Sequence, residues 1–135
     1  MKHHLAILIL CCVIFTSCNP LRRIDMKNRS ASDVEITWLL KERDSIYSSP
    51  LFMNNSREIK FKLKPDKPYN TIKWSFGDGN WKVPYLKEIT EHLESLEIKS
   101  GSGTVLLSSP EEIYSFLVSR RTGIGKRKIA IVIND

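Results

Sequence analysis

The side chains able to do acid–base or metal chemistry are few in this sequence, and they do not converge on one motif. His92 is the single histidine beyond His3 and His4, so a chain that loses its first seventeen residues is expected to have no multi-histidine zinc site. Glu88, Glu91 and Glu94 surround it and could supply the paired acids of glycoside hydrolysis. The same spacing suits a solvent-facing helix stripe, with Glu88 and His92 four residues apart as a surface pair. Asp78 and Asn80, with Asp66 the nearest other acid, offer oxygen atoms to a hard cation but fall short of the roughly six that calcium takes. No G-x-S-x-G elbow, H-E-x-x-H pair or phosphate-binding glycine loop occurs. These residues predict no catalytic set, no metal and no cofactor; an envelope hydrolase ranks last among the readings.

Binding is better provided for. Tyr69, Trp74, Trp81 and Tyr85 cluster in a short stretch, and Trp81 falls out of phase with the apolar face of the strand before it. An exposed Trp–Tyr platform could stack on a sugar ring or seat a peptide, whereas the alternative is that these rings belong to the core. Arg120, Arg121, Lys126, Arg127 and Lys128 crowd around Thr122–Gly125 and could rest on anionic headgroups. Lys60, Lys62 and Lys64 line one face of a strand, where lysines also blunt a sheet edge.

The elements that must position these residues follow from periodicity. Ile24 and Met26 alternate with charged neighbours, then Lys27–Ser32 reads as a turn. Period-2 alternation predicts strands through Val34–Leu40, Ile59–Leu63 and Ile72–Phe76, the last closed by Gly77–Asn80. Arg43–Ser56 is polar and reads as a loop. Pro84 opens a helix carried by Leu86, Ile89, Leu93 and Leu96 at helical spacing, and the chain turns to strand near Ser95. Ser100–Gly103 is a hairpin turn whose partner is Thr104–Leu107. Ser109-Pro110-Glu111-Glu112 reads as a capping box that starts a second helix with Ile113, Phe116 and Leu117 inward. Lys128–Ile133 is nearly all apolar, which predicts a central strand buried on both faces. The expected fold is α+β: a mostly antiparallel sheet of about six or seven strands with two helices packed on one face.

Composition bounds the rest. The chain has 135 residues, 41% hydrophobic and 27% charged, which fits one globular domain with a single core. Its net charge of +6 favours anionic partners such as headgroups or acidic glycans.

The stretch Leu5–Cys18, LAILILCCVIFTSC, follows Lys2 and carries 11 apolar residues to Phe15. That suits a signal h-region and is short of the roughly 20 residues needed to span a bilayer. Phe15-Thr16-Ser17-Cys18 resembles the lipobox of bacterial lipoproteins, with Phe15 in place of the usual Leu. The resemblance implies cleavage before Cys18, with diacylglycerol and fatty acyl groups on that residue as the membrane contact. Asn19 after the cysteine implies the outer membrane where the enteric sorting rule applies. Residues 1–17 are then signal peptide, 18–23 a lipidated tether, and 24–135 one globular domain. The only other cysteines, Cys11 and Cys12, leave with the signal, so the mature domain has no disulfide and no thiolate nucleophile. An exported chain has no nucleic-acid partner; an envelope protein or glycan is expected.

Trp74–Gly79, WSFGDG, resembles the W-x-F-G-D-G signature of PKD domains over those six residues. The helices expected afterwards depart from that family, which reduces the match to a strand ending in a tight turn. The function read from the sequence is a lipid-anchored envelope protein acting as a non-catalytic structural or interaction module. The alternative is a glycan- or peptide-binding lipoprotein using the aromatic surface.

Overall fold

The computed structural model describes residues 21–42 and 56–135. The signal segment with Cys18, and nearly all of the expected Arg43–Ser56 loop, lie outside the described residues. In chain order the elements are β1 (Leu21–Asn28), β2 (Val34–Leu40), β3 (Glu58–Leu63), β4 (Thr71–Asp78), α1 (Val83–Glu91), β5 (Leu93–Ser100), β6 (Gly103–Leu107), α2 (Pro110–Val118), β7 (Arg121–Thr122), a 3-10 turn (Ile124–Lys126) and β8 (Lys128–Ile133).

The class is α+β and mostly antiparallel, with two helices, as the periodicity predicts. The single sheet is corrected: eight strands form two four-stranded sheets, in the orders β4-β1-β8-β7 and β3-β2-β5-β6. The reason is one of cover. Two nine-residue helices, each about 14 Å long, cannot roof the apolar face of a sheet some 30 Å wide. Dividing the strands lets the two apolar faces cover each other. Trp38 of β2 meets Trp74 of β4 edge-on at 5.5 Å, and Phe61 of β3 meets the same ring at 5.1 Å. Ile24, Ile36, Leu96, Ile113 and Ile131, drawn from both sheets and α2, join one buried cluster. Each fully buried aliphatic side chain of this kind contributes about 1.5–3 kcal/mol. Both helices add to that core: α1 buries Leu86 and Ile89, α2 buries Ile113 and Leu117, and α2 packs on α1 and β5.

The chain crosses between the sheets at Arg29–Asp33, and a buried polar knot holds the crossing. The Asn28 amide donates to Ser32 O (2.8 Å) and, across to β3, to Leu63 O (3.3 Å). Its Oδ1 accepts from the Ser30 N–H (2.9 Å) and Ser30 Oγ (2.7 Å). A second tie joins this turn to the β5–β6 hairpin, where Gly101 N–H donates to Ser32 Oγ at 3.0 Å.

Four local expectations are refined. α1 ends at Glu91 and β5 opens at Leu93, so Leu93 and Leu96, expected on the helix, belong to the strand. β1 opens at Leu21, so Leu21–Arg23, read as tether, belong to a strand. β8 lies between β1 and β7, but only Ile129, Ile131 and Ile133 are buried while Val132 is exposed. It is buried on one face because the opposite sheet covers one face alone. At α2, Ser109 Oγ accepts from the Glu112 N–H (3.2 Å), while the Glu112 carboxylate accepts from Ser108 N–H (2.8 Å). The cap is thus reciprocal, with Glu112 reaching one residue further back than a capping box requires.

Candidate functional site

The aromatic residues come together, but inside the molecule. β4 ends at Asp78, and the turn through Gly77 (φ 75°) and Gly79 (φ 116°) swings the chain back. Strand phase therefore no longer governs Trp81, which points inward and is 1% exposed. Its backbone N–H donates to Lys126 O (2.9 Å) and its indole N–H to Arg23 O (3.0 Å). Trp74 is 8% exposed and lies within a run of ring contacts: 4.6 Å to Phe76, then 5.0 Å from Phe76 to Trp81, then 6.0 Å from Trp81 to Tyr85. Half-buried Tyr85 is covered by Arg22, whose guanidinium sits 3.7 Å above its ring. Tyr69 is 67% exposed, in the β3–β4 turn beside Lys64. The exposed platform drawn from Trp74, Trp81, Tyr85 and Tyr69 is therefore corrected: three of the four rings are core or roofed by Arg22, and neither indole face is open to a sugar.

Arg22, expected in the tether, belongs to β1 and makes contacts that no local sequence pattern signals. Its Nε and Nη2 donate to Phe76 O (3.3 and 3.0 Å) and its Nη1 to Asn80 O (3.4 Å). It latches the start of β1 to the β4–α1 turn.

The basic group divides in two. Arg120 folds back on α2: its Nη1 donates to Phe116 O (3.0 Å) and its guanidinium stacks 3.6 Å above the Phe116 ring. Burial lowers its pKa from the ordinary arginine value. Arg121 donates to Val118 O (3.3 Å) and to Trp81 O (3.1 Å). Both therefore supply donors to the orphan carbonyls of the helix end. Lys126, Arg127 and Lys128 are different. Lys126 and Arg127 stand on the loop into β8 and Lys128 opens that strand, with Lys126 exposed and the other two half-buried, and none is ion-paired with a described residue.

The strand lysines are largely neutralised. Lys60 lies 3.2 Å from Glu58 and 3.5 Å from Glu35, and Lys62 3.8 Å from Glu35. The hydrogen bond that Lys60 donates to Glu58, then the charge of Glu35, holds the Lys60 ammonium above the usual lysine range. β3 is an edge strand, so these lysines guard it against pairing. The other edge of that sheet, β6, carries no lysine and exposes Val105 (49%) and Leu106 (59%).

The acids do not converge. Glu88, Glu91 and Glu94 are exposed, and Glu94 pairs with Arg57 at 2.7 Å. His92 caps α1: its N–H bonds to Ile89 O and its carbonyl accepts from Lys41 N–H. Among the described residues no three of His, Cys, Asp and Glu are placed to hold a metal ion. The groove between α1 and α2, lined by Lys87, Thr90, Glu91, Glu111 and Tyr114, has a volume of about 220 Å³, and a larger depression of about 510 Å³ is lined by Ser32, Asp33, Glu35, Lys62, Lys99 and Ser100. Among the described residues no helix is long and apolar enough to cross a membrane. No family model fits the chain, and no curated protein or solved structure matches it.

Proposed function

We propose that the chain is a lipid-anchored protein of the bacterial cell envelope, held by diacylglycerol and fatty acyl groups on Cys18. Its folded domain works as a non-catalytic structural or interaction module, in the outer membrane where the sorting rule for Asn19 applies. The observation that carries this reading is the position of β1. It opens at Leu21, three residues past Cys18, so cleavage before Cys18 leaves every described element whole. Two or three acyl chains, at about 0.8 kcal/mol per buried CH2, make a stable anchor. The test is Cys18→Ser: palmitate labelling is lost and the protein leaves the membrane fraction. Unchanged labelling and fractionation would defeat the reading.

The interaction side of the reading rests on β6. Its outer edge offers backbone donors and acceptors beside Val105 and Leu106, the arrangement to which an extended segment of a partner protein adds as a further strand. In-cell photocrosslinking from position 105 then yields an adduct that position 62, on the lysine-guarded edge, does not. Equal yields from both positions, or none from either, favour a purely structural module.

A further inference from the structure

The topology gathers one end of the molecule around the point where the anchor joins it. β1 and β8 run parallel and in register from Arg23↔Lys128 onward, so both begin at the same end. β4 runs antiparallel to β1, with Leu21 opposite Asp78, so the β4–α1 turn reaches that end too. The loop into β8 is fastened there, since Arg23 N–H donates to Arg127 O (3.1 Å) and Trp81 N–H to Lys126 O (2.9 Å).

That loop has an unusual tip. Gly123 (φ 80°), Gly125 (φ 67°) and Lys126 (φ 54°) take left-handed backbone conformations, which turn Ile124 outward. Ile124 is 87% exposed, more than any other large apolar side chain among the described residues, and Leu21 (54%) and Val83 (43%) are exposed at the same end. Around them stand Arg22, Lys82, Arg121, Lys126, Arg127 and Lys128. The carboxylates facing them are Asp78, and Asp25 paired with Arg23 at 2.7 Å. An isoleucine on a fixed turn, ringed by cations, has the chemistry of a wedge for an anionic bilayer interface.

The length of chain before Leu21 says which surface this end meets. Cys18 is three residues from Leu21, a reach of about 10 Å at full extension. A lipid on Cys18 therefore holds this end within about 10 Å of the headgroups, whatever path the intervening residues take.

The geometry points to a second membrane contact: the Ile124 loop inserts into the interface of an anionic phospholipid bilayer while Lys126, Arg127 and Lys128 engage lipid phosphates. The domain thus stands with its β1/β8 end on the membrane and its β6 edge presented sideways. This rests on the lipid anchor at Cys18 for its orientation, and the two can fail separately.

The test uses the full-length protein purified from membranes and reconstituted into vesicles of phosphatidylethanolamine and phosphatidylglycerol, with the lipid on Cys18 checked by mass. Because no other cysteine remains after cleavage, Ile124→Cys takes an environment-sensitive fluorophore at one position, and Val105→Cys serves as control. Both side chains are exposed, so neither change removes core. Spin-labelled lipid quenches the probe at 124 by at least half and leaves the probe at 105 unchanged. The triple variant Lys126→Glu, Arg127→Glu, Lys128→Glu, carrying the 124 probe, lowers the docked-to-free ratio about a hundredfold, as does phosphatidylcholine in place of the anionic lipid. A lipidated protein whose 124 probe is no more quenched than the 105 probe overturns the inference while the anchor stands. An unlipidated Cys18, with strong quenching at 124 once Cys11, Cys12 and Cys18 are changed to serine so that the probe stays at one position, overturns the anchor while the docking face stands. Protection of position 124 in cells but not on vesicles would assign this face to a protein partner, against the inference.

Discussion

Asn28→Ala tests the knot that lets one chain build two facing sheets. Asn28 is fully buried, and its side chain makes four hydrogen bonds, to Ser30 twice, to Ser32 O and to Leu63 O. Each contributes about 1 kcal/mol net, and a buried partner left bare costs about 1–3 kcal/mol. Ser32 O keeps Ser30 Oγ as a donor at 3.0 Å, so the groups most exposed to loss are the Ser30 N–H and the Leu63 carbonyl. The expected cost is about 3–4 kcal/mol, a large part of the roughly 5–15 kcal/mol available to a domain. Urea denaturation followed by circular dichroism should show a lower midpoint with an unchanged slope, and the melting temperature should drop by about 10–15 °C. Asn28→Asp sharpens the test. A carboxylate there would face the Ser32 and Leu63 carbonyls without a proton to offer, which raises its folded-state pKa above the unfolded value. The folded state then binds more protons than the unfolded one, so stability is greatest in acid and falls as pH rises through about 4 and above. An Asn28→Ala cost below about 1 kcal/mol, or an Asn28→Asp variant whose stability rises with pH, would refute this account of the crossing.

Three further outcomes follow from the packing. Trp81→Phe should cost more than Trp38→Phe, because the Trp81 indole donates to Arg23 O while the buried Trp38 Nε1 has no partner among the described residues; a difference of about 1 kcal/mol in chemical denaturation is expected, and the reverse order would contradict it. Gly101→Ala would place a Cβ 2.3 Å from Ser32 Oγ, so it should destabilise by about 1–2 kcal/mol and be partly rescued by Ser32→Ala, whereas additive effects would dismiss the contact. Ser109→Ala removes the acceptor for the Glu112 N–H and should lower thermal stability by about 1 kcal/mol, with no change meaning that the cap is replaced by water.

Much of the local structure is legible in the sequence. Val34–Leu40 and Ile59–Leu63 alternate without interruption, and a half-buried strand leaves that pattern whatever it pairs with. Ser109-Pro110 marks the start of α2 for a similarly local reason. Strand partnership is another matter. β1 pairs with β4 and β8, so its neighbours come from positions roughly 50 and 105 residues away in sequence, and no window of local periodicity carries that information. The same limit explains the candidate site. Strand phase places Trp81 outward only if the strand continues past Asp78, where it ends; the turn at Gly79, not alternation, decides its direction. Arg120 and Arg121 looked like free cations because helix-end carbonyls are not visible as partners until the helix has a known end. Ile124, by contrast, was open to notice: an aliphatic residue between two glycines in a basic loop has little to pack against.

The central claim is that this domain is held at a membrane through Cys18. Mass spectrometry of the amino-terminal peptide from membrane-extracted protein tests it most directly. The account predicts a chain beginning at Cys18 that carries a diacylglyceryl thioether and an acylated amine. A peptide running unbroken through Ser17, Cys18 and Asn19, or a Cys18 with a free thiol, would contradict it.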